Sequence, residues 1–427
     1  MDLLQQLQNQ LNQFPSHTKL LLGFSGGLDS TVLLSLLAKL RKKQPHLSLR
    51  AIHIHHGLSQ NADNWAIHCR QICQQLDISF LCEKVTINPR KGIEADAREA
   101  RYQAIANHLQ DNEILVTAHH QQDQTETFLL ALKRGSGLQG LGAMQIQSVV
   151  FNLPIFRPLL HCTRQQLEQY AKTEKLSWIE DESNADNRYE RNFLRNDILP
   201  KLRQRWQSID NAVQRSAQHC FEQQQLINEL LNDEFNKIYD KFDRTLSIAN
   251  FATYSILKQK ALLRTWLQHL HILMPSTIQL DNIMRNMIQA QEDRNPTCRL
   301  GNQVLRRYQK RLYATPILQD LSHIRLDIQA NECINLPDNL GEICLLTKNE
   351  HLQVTWQNKQ ILLPLTQEKI EIRFRYSGKV KLPQGFHQEM KKCWQDHNVP
   401  IWQRTRIPLI FYGNKFKSAV GFFNNCE

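Results

Sequence analysis

Residues 20–35, LLLGFSGGLDSTVLLS, constrain the fold more than any other stretch of this chain. Leu20-Leu21-Leu22 reads as a buried strand. Gly23-Phe24-Ser25-Gly26-Gly27 follows as a turn, and Asp29 and Ser30 open a helix that buries Val32, Leu33, Leu36 and Leu37. A strand, a glycine turn and a helix start together suit a phosphate. Glycines let the backbone approach the anion, successive N–H groups form a nest, and the helix start adds partial positive charge. No Lys follows the glycines, so the turn is not a Walker A loop, and it is not G-x-G-x-x-G. The plain alternative for this loop by itself is a tight turn with no ligand.

The surrounding pattern favours a ligand. Strands are expected near residues 49–55, 79–85 and 113–118, with helices over 63–76, 94–109 and 123–133. Strands regularly separated by helices imply right-handed crossovers and a parallel sheet covered on both faces, the doubly wound α/β class. Ligands of such sheets sit beyond the carboxyl ends of the strands. SGGLDS, HIHHGLS and TAHHQQDQTET all fall on that rim, which argues for one active site.

At 427 residues the chain is too long for one ordinary domain. The expected division is a catalytic α/β domain over 1–210, a mainly helical middle domain over 211–320 and a small α+β domain over 350–427. Residues 316–350 read as a linker with short strands, and Ile370-Glu371-Ile372-Arg373-Phe374-Arg375 alternates as a strand does. The start, MDLLQQLQNQLNQF, has neither a basic n-region nor an apolar h-region, so no signal peptide is expected. No apolar run approaches the ~18 residues of a membrane span. The ten cysteines show no disulfide-like framework and no C-x-x-C, which suits a reducing compartment and a cytoplasmic location. Buried structural thiols are the expectation for Cys69, Cys73, Cys82 and Cys162. A net charge of +11 points to a polyanionic partner. In the last domain Arg373, Arg375, Lys379, Lys381, Lys391, Lys392, Arg404 and Arg406 outnumber the acids, with Trp394 and Trp402 interleaved. The tryptophans fit a core better than a base-stacking platform.

Two motifs carry further chemistry. EADAREARY sets Glu94, Arg98, Arg101 and Tyr102 on adjoining helix faces, either as a solvated Glu–Arg pair or as arginines for phosphate oxygens. In TAHHQQDQTET, His119 and His120 close a strand, and Asp123 and Glu126 stand one turn apart at a helix start. The spacing is not that of a zinc site. Asp123 suits a dipole-stabilising cap, Glu126 less so, and the two together could form an acidic pocket for a cationic substrate.

SGGLDS matches SGGxDS, the loop of the N-type ATP pyrophosphatases (the PP-loop superfamily). In order, SGGLDS, HIHHGLS, EADAREARY, AHHQQDQTETFLLALKRGSGLQGL, RPLL, EDESN, RNFLRNDILPKL and IRFR…KKCWQDHNVPIWQRTRIPLI resemble the tRNA(Ile)-lysidine synthetases. The resemblance covers nearly the whole chain, least between about 210 and 350. It implies a PP-loop ATPase fold and an ATP- and Mg²⁺-dependent, carbon–nitrogen bond-forming ligase. The wobble cytidine of a CAU-anticodon tRNA(Ile) is adenylated with loss of pyrophosphate, then L-lysine displaces AMP, and decoding changes from AUG to AUA. The implied catalytic residues are Asp29, Arg98, Asp123 and Glu126. The implied nucleotide-binding set is Ser25, Gly26, Gly27, Leu28, Asp29, Ser30, His53 and Arg101, with Asp29 also the metal ligand. No membrane partner is implied, and a homodimer is allowed. The rival readings are a PP-loop tRNA-thiolating enzyme and a non-catalytic tRNA-binding protein.

Overall fold

The structure, a computed structural model, describes residues 2–57, 59–86, 93–291 and 294–426, with backbone alone over 93–95. It divides into two compact units, Met1–Asn228 and Glu229–Glu427.

The first unit is built on the apolar run 20–22. Its elements are α1 (Leu3–Leu11), β1 (Lys19–Gly23), α2 (Leu28–Lys43), β2 (Leu49–His55), α3 (Ala62–Gln75), β3 (Ser79–Lys84), α4 (Ile93–His108), β4 (Glu113–Val116) and α5 (Gln121–Lys133). They continue as α6 (Leu138–Leu141), β5 (Gln147–Val150), β6 (Leu153–Phe156), α7 (Arg164–Thr173), α8 (Glu190–Phe193), a π-helical turn (Leu194–Ile198), α9 (Leu199–Arg205) and the first part of α10 (Ile209–Ile238), whose last turns belong to the second unit. Side chains alternate faces along a strand. Leu20 and Leu22 therefore join one core cluster with residues of α1, α2 and α7, while Leu21 joins Ile52, Leu115, Ile155, Tyr102 and Ile105 in another. Helix α2 is buried on more than the face expected, since Leu34, Ser35, Ser30 and Thr31 are covered too.

The six strands run in the order β3-β2-β1-β4-β6-β5. Strand β1 pairs in parallel with β2 and with β4, β2 with β3, and β4 with β6; only the β5–β6 pair is antiparallel. The chain thus winds outward from β1 through β2 and β3, then crosses to the other side at β4. The crevice between the carboxyl ends of β1 and β4 is the topological switch point, where a doubly wound sheet binds its ligand. SGGLDS leaves β1 there, and the two histidines leave β4.

The second unit opens with helices Ile256–His269 and Thr277–Ile283 on a five-stranded antiparallel sheet made of Tyr239–Asp240, Thr245–Ser247, Arg311–Pro316, Gln303–Tyr308 and Thr297–Leu300. The middle region is therefore helix packed on sheet, with Trp266, Leu262, Leu263 and Leu305 fully buried between them. Residues 316–350 are not a linker. Arg325–Ile328 pairs with Ile370–Arg373, and Glu332–Asn335 and Glu342–Lys348 belong to a four-stranded sheet with His351–Trp356 and Lys359–Pro364. One core cluster runs from Leu321 to Val420. These strands are four to seven residues long with one wet face, so their alternation in the sequence is faint. Cys333 and Cys344 lie directly opposite in register and form a disulfide, against the expectation of no such framework. Among the described residues no helix is long and apolar enough to cross a membrane.

Candidate active site at the switch point

The glycine turn has the conformation its sequence requires. Gly26 has φ +84°, and a Cβ there would meet Ile179 Cδ1 at 2.6 Å and Cys69 Sγ at 2.8 Å. No side chain caps α2, which begins after Gly27, so its first N–H groups are left available to an anion. Ser25 Oγ lies 3.1 Å from Ser30 Oγ, Ser30 Oγ donates to Gly27 O at 3.0 Å, and Ile179 N–H donates to Gly26 O at 2.9 Å. The last bond clamps the turn from the WIEDESN segment. From below, His53 is 5% exposed, and its Nδ1–H donates to Phe24 O at 3.0 Å. His53, expected among the nucleotide ligands, thus braces the backbone that leads into the nest.

Asp29 stands at the mouth of the nest. Both its oxygens accept from Arg164 Nη1 at 2.9 Å, and His120 Nε2 lies 3.7 Å away. Burial pushes its carboxyl above the usual range, with His120 and Arg164 opposing. His120 is the N-cap of α5 rather than the end of a strand. Its Nδ1 accepts from Gln122 N–H at 3.2 Å, which leaves the neutral ring's proton on Nε2. That N–H faces Asp123 Oδ2 at 3.5 Å as well as Asp29. Asp123 completes the capping box, accepting from His120 N–H at 3.0 Å, so the cap role is real.

Asp123 Oδ1 also faces the second α5 acid through a shared arginine. Arg195 Nη2 donates to Asp123 Oδ1 and to Glu126 Oε2, each at 3.0 Å, and Arg195 Nε donates to Glu126 Oε1 at 2.7 Å. Arg191 Nε stands 3.4 Å from Glu126 Oε2, and its Nη2 donates to Thr127 Oγ1 at 2.9 Å. Glu126 is fully buried, and burial holds its carboxyl above the usual range despite Arg195. For Asp123 burial acts the same way but is outweighed by His120, His119, the backbone N–H and Arg195, and its carboxyl is held low. The acidic pocket is thus already neutralised by guanidinium groups.

The other expected residues sit around this centre. Arg98 lies over the Tyr102 ring at 5.0 Å. Arg101 is exposed and its Nε donates to His56 Nε2 at 3.3 Å. Burial, then Arg101, push His56 down to about 4. Burial likewise pushes His119 down to about 3, and its Nδ1 lies 2.9 Å from Thr117 Oγ1. The Glu94 side chain lies outside the described residues. Arg164, Arg191, Arg195 and the cap role of His120 were not foreseen as parts of the site. The only signal was charge complementarity: Arg191 and Arg195 share a helix face, as Asp123 and Glu126 do. Cys69, Cys73 and Cys162 are buried and Cys82 is half-buried. Burial pushes Cys73 up to about 12 and Cys162 up to about 11.

In the second unit the basic set divides. Arg373 is held by Glu371 and Gly413 O, Arg404 by Val399 O, and Arg406 by Asp338. Trp394 is buried against Phe423, and Trp402 packs on Tyr313 at 5.1 Å between centroids. Arg375, Lys379, Lys391 and Lys392 remain exposed. Lys391 and Lys392 line a cleft of about 410 Å³ with Phe386, which is 53% exposed.

Three family models match successive parts of the chain. Residues 2–202 match a PP-loop domain, 246–313 the TilS substrate binding domain and 370–427 the TilS substrate C-terminal domain. The chain is 98% identical over 427 residues to a tRNA(Ile)-lysidine synthase of Histophilus somni (strain 129Pt), covering 100% of both. It is 56% identical to one of Haemophilus influenzae (strain PittEE), covering 99% of each. With one of Actinobacillus succinogenes it shares 52% identity over 429 residues, 99% of this chain and 100% of the relative.

Proposed function

The chain belongs to the tRNA(Ile)-lysidine synthase family, and from that premise we propose how its residues carry out an ATP-dependent ligation of lysine to tRNA. The nest at residues 25–30 holds the ATP phosphates. The cytidine C2 oxygen attacks the α-phosphorus and pyrophosphate leaves. The ε-amine of lysine then attacks C2 and AMP leaves. The tRNA is an isoleucine tRNA with a CAU anticodon, and the work is done in the cytoplasm.

Asp29 is the residue suited to hold Mg²⁺. It offers a single carboxylate at the mouth of a phosphate nest, already balanced by a cation from Arg164, and Mg²⁺ takes one or two carboxylates beside phosphate oxygens. When bound, the ion offsets charge on the departing pyrophosphate. Lysine's ammonium, with a pKa of about 10.4, must lose a proton before attack. Asp123 and Glu126 take its amines, and Glu126, with its raised carboxyl, is the better proton acceptor of the two. His120 is a donor here and not a base, since its lone pair is tied to Gln122 N–H. The exposed lysines beside Phe386 suit a phosphate backbone and an unpaired base.

The observation that carries this reading is the meeting of Asp29, His120, Asp123 and Glu126 at the β1/β4 switch point. A thiolation reading is disfavoured because the sequence has no C-x-x-C pair and burial pushes the Cys73 and Cys162 thiols up, away from the reactive thiolate. The test is incubation with ATP, labelled lysine and bulk bacterial tRNA. Label is expected in a CAU-anticodon isoleucine tRNA, with AMP and pyrophosphate released in equal amounts. Unlabelled tRNA beside active ATP turnover would overturn it.

A further inference from the structure

The carboxylate oxygens that would receive lysine are engaged by Arg195. Its guanidinium bridges Asp123 Oδ1 and both Glu126 oxygens at 2.7–3.0 Å, and Arg191 adds a second positive group at 3.4 Å. An ammonium cannot take these oxygens while both guanidiniums hold them, because it would add a like charge at close range inside a site whose Glu126 is fully buried. For lysine to bind, Arg195 must leave.

Three features give it a way out. Its side chain is 37% exposed, so it is not enclosed on every side. Arg195 belongs to the π-helical turn Leu194–Ile198, between α8 and α9, and π turns are places where a helix is wide and its register soft. The charge of Asp29, at the phosphate nest, also acts on Arg195, so the guanidinium is within electrostatic reach of the nest. A triphosphate in that nest brings several negative charges within its reach, in bidentate geometry that guanidinium favours.

We propose that Arg195 is a positioning residue that makes lysine binding depend on nucleotide. ATP draws the guanidinium from Asp123 and Glu126 to the phosphates, and the vacated carboxylates then accept the lysine amines. The inference rests on the reading of Asp123 and Glu126 as the lysine pocket. It sets an order, nucleotide before lysine, and keeps the amine out until there is a nucleotide to act with. Coupling between two ligands is reciprocal, so lysine must raise nucleotide affinity by the same factor.

Equilibrium dialysis of labelled lysine against the full chain tests this, with and without Mg²⁺ and α,β-methylene-ATP, whose α–β bridge cannot be cleaved. Lysine is expected to bind about tenfold tighter with the analogue, within the usual range of such couplings. In Arg195→Gln lysine should bind without the analogue nearly as well as with it, the coupling factor falling toward one. Folding of the variant is checked by its unfolding transition, and the wild-type comparison stands without it. Equal lysine binding in the wild type with and without analogue, including none in either, overturns the proposal, as does undiminished coupling in Arg195→Gln. Glu126→Gln separates the two readings. Lysine affinity unchanged by that substitution sinks the pocket itself, whereas weakened affinity beside absent coupling sinks only the exchange.

Discussion

Gly26 shows how little freedom a single position at the nest has. Its φ of +84° is the left-handed region, and the space where a Cβ would go is taken by Ile179 and Cys69. Gly26→Ala is expected to lose nucleotide binding and about 1–3 kcal/mol of stability, read by nucleotide dialysis and denaturant unfolding. A variant that binds the nucleotide as the wild type does would show that the nest tolerates a shift. Asp210 gives a second residue-scale test. Arg203 Nε donates to it at 2.7 Å and Thr125 Oγ1 at 2.7 Å, tying α10 to α9 and α5. Burial alone would raise its carboxyl, but these bonds hold it low. A lowered folded value means that the unfolded chain takes up the proton first. The stabilisation is therefore fully present above the unfolded value of about 3.9 and is lost as pH falls through the folded one. Asp210→Asn should lower stability at neutral pH and flatten its fall in acid, measured by urea unfolding between pH 7 and pH 3. An unchanged acid slope would remove Asp210 from the account.

At the scale of elements, the switch point depends on β1 being held between β2 and β4. The ends of those two neighbours are joined by Arg50, whose Nε and Nη2 donate to Glu113 Oε1 and Oε2 at 2.9 and 2.6 Å. Glu113 is 3% exposed, and its Oε2 also accepts from Gln110 N–H. Removing Glu113 leaves the part-buried Arg50 guanidinium and the Gln110 N–H without their acceptor. Glu113→Ala is thus expected to cost about 1–3 kcal/mol, while leaving the site residues at the opposite strand ends untouched. The check is the unfolding midpoint together with nucleotide affinity well below that midpoint. A loss of affinity larger than the loss of stability would mean that the strand ends are coupled to the rim. The same scale explains the rim itself. Helix α5 presents Asp123 and Glu126 one turn apart, and Arg191 and Arg195 come from α8 and the wide turn after it.

For the whole molecule, the second unit matters through its exposed cations. A chain ended near residue 350 would cut a four-stranded sheet and a core that extends to Val420, so truncation there tests folding and not RNA binding. Point substitution is the cleaner measurement. Lys391→Ala with Lys392→Ala should weaken tRNA binding and make log K against log salt shallower by about 0.7–0.9 for each phosphate no longer neutralised, with ATP affinity unchanged. Arg404→Ala should instead act on stability, because Arg404 spends its Nε on Val399 O. Equal salt slopes for wild type and the double variant would move tRNA binding to another face.

What the sequence by itself determined is local. An apolar triplet, a glycine turn and a helix start fall within sixteen residues, and their order along the chain decides strand, nest and helix before any long-range packing. The alternation of strands and helices likewise determined a doubly wound sheet, and with it the rim where Asp29 and Asp123 meet. Tertiary structure alone decided the partners. Arg195 lies 69 residues from Glu126 and 72 from Asp123, and which guanidinium reaches which carboxylate depends on how two helices dock, which no periodicity encodes. The same holds for Arg164 on Asp29, 135 residues apart, and for the burial of His53 beneath the loop. The disulfide followed strand register, its cysteines 11 positions apart in the sequence with no motif to announce it. Composition counted the basic residues of the last domain; only packing separated those that brace the fold from those that face solvent.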